Sequence, residues 1–181
     1  MSDLGTLPKR IFLDSSILQT LHTYGGFIYD GEPLDVKNGI WSENIEALRN
    51  IFLVQSQALH EFALSENSLV EVKDKGDIRY LQWAFEWLDY WRSCASRYKN
   101  YPFNNQGTSL AEKLEEPQFG YLGAKDRKLI RDAIMLECDA FLTMDYKLSK
   151  NAEHLQKTLS IKILTPTQYW ILLSPWARLY F

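Results

Sequence analysis

The chain of 181 residues reads as an α/β fold, with a central, mostly parallel sheet covered by helices on both faces in three layers. Three observations predict this. Four short apolar runs, 10–13, 62–64, 140–143 and 161–164, alternate with segments of helical period. Three of them end in a polar step: Leu13-Asp14, Leu64-Ser65 and Leu142-Thr143-Met144-Asp145. The length suits one domain over 1–181, large enough to bury a core without disulfides.

Taken in order, residues 1–9 are a polar lead-in with Pro8. Arg10-Ile11-Phe12-Leu13 is the first strand, and Ser15 or Ser16 is placed to cap a helix over Ile17–Leu21. Residues 24–40, with four glycines and Pro33, predict a long loop. Ile45, Leu48, Ile51 and Phe52 recur at helical spacing behind Ser42 as N-cap, giving a helix from about 43 to the high 50s. Phe62-Ala63-Leu64 is the second strand. Ser68 with Glu71 three residues on fits a capping box at the next helix start.

Asp77 caps a long helix to about Tyr98, on which Tyr80, Leu81, Trp83, Ala84, Trp87, Leu88, Trp91 and Cys94 share one face. Such a stripe can stack on bases, but it is far more often core, and core is the expectation here. Residues 99–123 predict a second loop region with a helical turn near Leu110–Leu114. Lys125-Asp126 opens a helix through Leu136, and Ala140-Phe141-Leu142-Thr143 is the third strand. A helix over about 146–158 follows, then a fourth strand at Ile161–Leu164. Pro166 sits in the first turn of a last helix.

In an open α/β sheet, ligands sit beyond the carboxyl ends of the strands. Asp14 and Asp145 stand at two such ends, and Glu71 lies in the first turn after the second strand. At about 100° per residue, Asp126 shares a face with Leu129, Ile130, Ala133 and Ile134, so its carboxylate points at the sheet. Asp132 falls at the polar edge with Lys128, while Glu137 projects onto the apolar face at the far end of the helix. Singly, each acid has an ordinary role: Asp14 and Asp145 as helix caps, Asp126 as a first-turn dipole partner, Glu71 as half of a capping box. Together they form a cluster that resists ionising without a cation. Oxygen-only donors select hard ions such as Mg²⁺ or Mn²⁺, which activate water and neutralise charge on a phosphate.

These residues make the chain resemble the PIN-domain family of metal-dependent ribonucleases, which includes many toxin–antitoxin toxins. The resemblance rests on Ile11-Phe12-Leu13-Asp14-Ser15-Ser16, on Ser65 followed by Glu71, and on Lys125-Asp126 opening the helix into Asp139-Ala140-Phe141-Leu142-Thr143-Met144-Asp145. Thr165-Pro166 resembles the family's ending, so roughly 10–173 is covered. The resemblance implies a PIN-like fold and a metal-dependent endoribonuclease with catalytic acids at Asp14, Glu71, Asp126 and Asp145. It implies metal ligation by Asp14, Asp126 and Asp145, and supporting hydroxyls on Ser15 and Thr143. RNA is the implied substrate, with an antitoxin or a second copy of the chain as partner; the alternative is a non-catalytic RNA- or partner-binding PIN module. Glu137-Cys138 stands where the family commonly has a glycine, and the insertions at 24–40 and 99–123 exceed compact toxin members.

Lys125, Arg127, Lys128, Arg131 and Lys147 flank the acids as candidate contacts for backbone phosphates, or as solvated surface. Other classes lack support. Two cysteines without a CxxC pattern suit a reducing cytoplasm, and three histidines without HxxxH spacing argue against zinc. A net charge of -3 disfavours an all-basic duplex binder. No apolar run is long enough to span a membrane, and neither a secretory signal nor a GxSxG, GxxxxGK[ST] or GxGxxG motif is present. Ser16 occupies the position where haloacid-dehalogenase-type phosphotransferases need a second Asp.

Overall fold

The computed structural model describes residues 7–58, 60–97 and 106–177, and the side chains of these apart from 56–58, 95–97 and 106–108. Four strands, β1 (Arg10–Leu13), β2 (Glu61–Ala63), β3 (Ala140–Leu142) and β4 (Lys162–Leu164), form one parallel sheet in the order β2-β1-β3-β4. Helices α1 (Ser15–Thr23), α2 (Gly25–Asp30) and α3 (Ile40–Ala58) join β1 to β2. Helices α4 (Ser68–Asp74), α5 (Ile78–Arg97), α6 (Gln106–Lys113) and α7 (Ala124–Met135) lie between β2 and β3. Helices α8 (Tyr146–Lys150) and α9 (Ala152–Leu159) lead to β4, and α10 (Pro166–Ala177) follows it.

The fold is three-layer α/β, and apolar burial accounts for it. Ile11, Phe12 and Leu13 of β1, with Ala140, Phe141 and Leu142 of β3, are fully buried, as central strands covered on both faces must be. Phe12 pairs with Phe141 in register, and their rings stack at 5.4 Å. Helix stripes close the layers: Ile45, Leu48 and Ile51 of α3, Ala84 and Leu88 of α5, and Leu129, Ile130 and Ala133 of α7 are buried in the same core. The aromatic stripe of α5 is therefore packing, with Tyr80 and Trp91 buried and Trp83 and Trp87 against the core. Among the described residues no helix is long and apolar enough to cross a membrane.

Several local readings are corrected. The 24–40 loop contains α2, which buries Ile28 and stops at Gly31 with φ 75. Six residues opened by two glycines are too short to show a period. Ser42 is not the cap of α3, which begins at Ile40; its hydroxyl donates back to the Gly39 carbonyl at 2.9 Å. Neither Ser15 nor Ser16 caps α1, whose N-cap is Asp14. The expected helix over 146–158 breaks at Asn151, whose side-chain amide donates to the Lys147 carbonyl at 2.9 Å. In the 99–123 region α6 is a full helix and Pro117–Phe119 a 3₁₀ turn that buries Phe119; residues 98–105 lie outside the described ones.

Glu137 does not join the apolar face of α7 but is exposed, in the left-handed region at φ 55 just past the helix end. That backbone conformation explains why a glycine is natural at this point. Asp132 is not simply solvated, because it accepts from the Asn67 side-chain amide at 2.8 Å.

Candidate functional site

Strand order creates the site. From β1 the chain moves to one side to form β2, while β3 lies on the other side, so the topology switches between β1 and β3. The helices that follow these strands diverge there and leave a crevice at the carboxyl ends. Asp14 and Thr143 are the first residues beyond the two strands. Sheet-like bonds still anchor them, Asp14 N–H to the Leu142 carbonyl and Thr143 N–H to the Leu164 carbonyl, each 3.0 Å.

Asp14 is only 5% exposed, and its side chain makes no cap bond to α1. Its Oδ2 instead accepts from the hydroxyls of Ser16 at 2.6 Å and Thr143 at 2.7 Å. Burial pushes its pKa up, these donors pull it down, and the negative charge of Asp126 pushes it up again; the net direction is upward. Asp14 therefore holds the N-cap position of α1, but the side-chain capping reading fails for it.

It also fails for Glu71. The hydroxyl of Ser68, itself the first residue of α4, accepts from Ser65 N–H at 3.3 Å, and the N-cap Asn67 makes no side-chain cap bond. Glu71 turns to the crevice, where Ser15 Oγ donates to its Oε2 at 2.5 Å and the Lys125 ammonium stands 3.6 Å from Oε1. Ser15 thus ties the turn after β1 to α4, and α1 packs on α4 to hold that relation.

Asp126 and Asp145 each keep a local role. The Asp126 carboxylate accepts from Gly123 N–H in the first turn of α7, and a Cβ at Gly123 would stand 3.2 Å from Oδ2. Burial, and then the charges of Asp145 and Glu71, raise its pKa, against the lowering pull of Gly123 N–H and Lys147. Asp145 does cap α8, accepting from Lys147 N–H at 2.7 Å, while its own N–H donates to Thr143 Oγ1 at 2.9 Å. Asp126 is thus the acid that links the others: its charge bears on Asp14, and those of Asp145 and Glu71 bear on it.

Two residues of this site escaped the sequence reading. Ser16 contacts Asp14, Thr143 and Met144 N–H, and its signal was only its place two residues after the strand-end Asp. The Tyr80 phenol is pushed up by burial and then by Glu71 and Asp14, so it stands near both acids, although period alone assigns it to the core. The basic residues divide. Lys125 stands against Glu71, and Lys147 acts on Asp126. Arg127 and Arg131 instead pair with Glu115 at the end of α6, turned to a neighbouring carboxylate, and Lys128 is exposed.

Comparison of the chain with protein-family models, curated proteins and solved structures finds no match. The site thus has to be read from its own chemistry. Its donor set, hard carboxylate oxygens whose charges oppose one another, fits a divalent cation. The side chains nevertheless stand apart: among the described residues no group of three His, Cys, Asp or Glu is placed to hold a metal ion. Asp145 is turned to its own helix, Asp126 to Gly123 and Glu71 to Ser15.

Proposed function

We propose that this chain is a PIN-type, metal-dependent endoribonuclease that hydrolyses RNA phosphodiester bonds at the crevice between β1 and β3. The observation that carries the reading is the convergence of Asp14, Glu71, Asp126 and Asp145, far apart in sequence. Thr143 bonds both Asp14 and Asp145 N–H, Ser15 bonds Glu71, and the charge of Asp126 bears on Asp14 as those of Asp145 and Glu71 bear on Asp126. Asp14, Asp126 and Asp145 would hold Mg²⁺ or Mn²⁺. Such an ion supplies a water of lowered pKa and offsets charge gathering on the phosphate. Glu71, held by Ser15, is the acid left to orient the attacking water. Lys125, 3.6 Å from Glu71, and Lys147, whose charge acts on Asp126, would contact the phosphates of the RNA.

A second reading, a non-catalytic PIN module that binds RNA or a protein partner, is favoured by one observation: the separation of the carboxylates described above. A cleavage assay on single-stranded and structured RNAs, with Mg²⁺, with Mn²⁺ and with chelator, separates the two. Asp14→Asn should lower metal-dependent cleavage by about a hundredfold or more, since losing a ligand costs at least as much as losing a ligand's supporting partner. Equal cleavage by wild type and variant in a clean preparation sinks the catalytic assignment. Binding without cleavage selects the second reading. The PIN-type toxin role, with an antitoxin as partner, predicts a small overlapping open reading frame beside the gene.

A further inference from the structure

Hydrogen bookkeeping around Asp14 assigns a task to Ser16. A backbone N–H can only donate, so Met144 N–H, 3.0 Å from Ser16 Oγ, makes that hydroxyl an acceptor. Its single hydrogen then goes to Asp14 Oδ2 at 2.6 Å. Thr143 follows the same logic: Asp145 N–H donates to its Oγ1 at 2.9 Å, which commits its hydrogen to the same Oδ2 at 2.7 Å. The Ser16–Thr143 contact of 3.4 Å is left with no hydrogen to share. Two backbone donors of the turn after β3 are thus relayed through two hydroxyls onto one carboxylate oxygen.

The other oxygen is treated differently. The side-chain neighbour of Asp14 Oδ1 is Ser15 Oγ at 3.4 Å, whose hydrogen is drawn to Glu71 Oε2 at 2.5 Å, and the Ser15 N–H also serves the Asp14 carboxylate. Oδ2 takes both hydroxyl hydrogens, and Oδ1 takes neither. We propose that Ser16 is a positioning residue that, with Thr143, locks Asp14 by Oδ2 and presents Oδ1 as its single coordinating oxygen to a divalent cation. The inference rests on the metal-dependent reading of this crevice and adds a residue and an atom to it. Ser16 also ties the turns after β1 and β3 together, so that the carboxylate is aimed by both central strands.

The test is titration of the metal-free protein with Mn²⁺ alone, followed by calorimetry and by the electron paramagnetic resonance of the bound ion. Wild type, Ser16→Ala and Ser16→Thr are compared, with thermal unfolding of each in chelator. Loss of a residue that orients a metal ligand weakens binding by about ten- to a hundredfold. Ser16→Ala is therefore expected to weaken Mn²⁺ binding by that factor while still unfolding cooperatively. Ser16→Thr, which keeps the hydroxyl, is expected to bind within about threefold of wild type. Wild-type affinity in Ser16→Ala overturns the positioning role and leaves the nuclease reading standing. Equal weakening in the Ala and Thr variants also overturns it, because a hydroxyl-independent loss is a packing effect. Failure of wild type to bind Mn²⁺, or binding unchanged in Asp14→Asn, overturns the metal-dependent reading itself and the positioning role with it.

Discussion

Thr143 is the best place to test the energetics of the crevice. Its side chain is fully buried, accepts from Asp145 N–H and donates to Asp14 Oδ2. Thr143→Val keeps the shape and deletes both bonds. The orphaned Asp145 N–H costs about 1–3 kcal/mol, and the lost donor to an ionised carboxylate about 1.5–3 kcal/mol. Because the two share one side chain, the expected destabilisation at pH 7 is about 3 kcal/mol rather than the full sum.

Only the second part depends on pH. Burial holds the folded Asp14 pKa above its ordinary 3.8, so the folded state binds this proton more tightly than the unfolded state. Its contribution to stability is therefore greatest below pH 3.8 and is lost as pH rises through the folded value. Removing a donor to the charged form raises the folded value further and deepens that loss. Urea unfolding followed by Trp fluorescence should thus give a difference between variant and wild type that shrinks to about 1–2 kcal/mol at pH 3. A difference that is equal at the two pH values, or below about 0.5 kcal/mol at pH 7, refutes the arrangement of donors described here.

Other predictions follow from single observations. Lys147→Ala should weaken RNA binding and lower its salt slope by about 0.7–1, whereas Arg131→Ala, whose cation is already paired with Glu115, should leave the slope unchanged; filter binding across a salt series reads both. Ser160→Gly should raise stability by about 0.5–1 kcal/mol in chemical denaturation, because Ser160 closes α9 at φ 59, where an L side chain is strained. Burial lowers the His60 pKa from 6.5 to about 4, beside Tyr169 Oη at 2.9 Å. A neutral buried histidine costs stability on acidification, so the folded state should weaken as pH falls from 6.5 towards 4. His60→Phe should flatten that limb of the stability–pH curve.

Much of this protein was legible in its linear pattern. Short apolar runs at 11–13, 62–64 and 140–142 fit strands covered on both faces, which is why the parallel three-layer sheet was readable. The helical projection of Asp126 onto an apolar face identified a half-buried carboxylate, because a period of 3.6 residues is a local property of the chain. Helix starts were less legible. Ser42 and Ser68 have the right chemistry for caps, yet each sits inside its helix, since the first turn is set by where the preceding chain arrives.

Tertiary structure alone decided which acids were free of their local roles. By residue type Asp14 and Asp145 are equivalent strand-end caps. Only Asp145 caps through its side chain, because Thr143 from across the β1–β3 seam and Ser16, oriented by Met144 N–H, both donate to Asp14. The Thr143–Asp14 bond and the Met144–Ser16 bond that orients Ser16 join residues more than a hundred positions apart, and no local propensity reports a partner that the sheet register supplies. The apolar pattern determined which strands end in Asp14 and Asp145; the strand order β2-β1-β3-β4 set those ends side by side and brought the Thr143 hydroxyl onto Asp14.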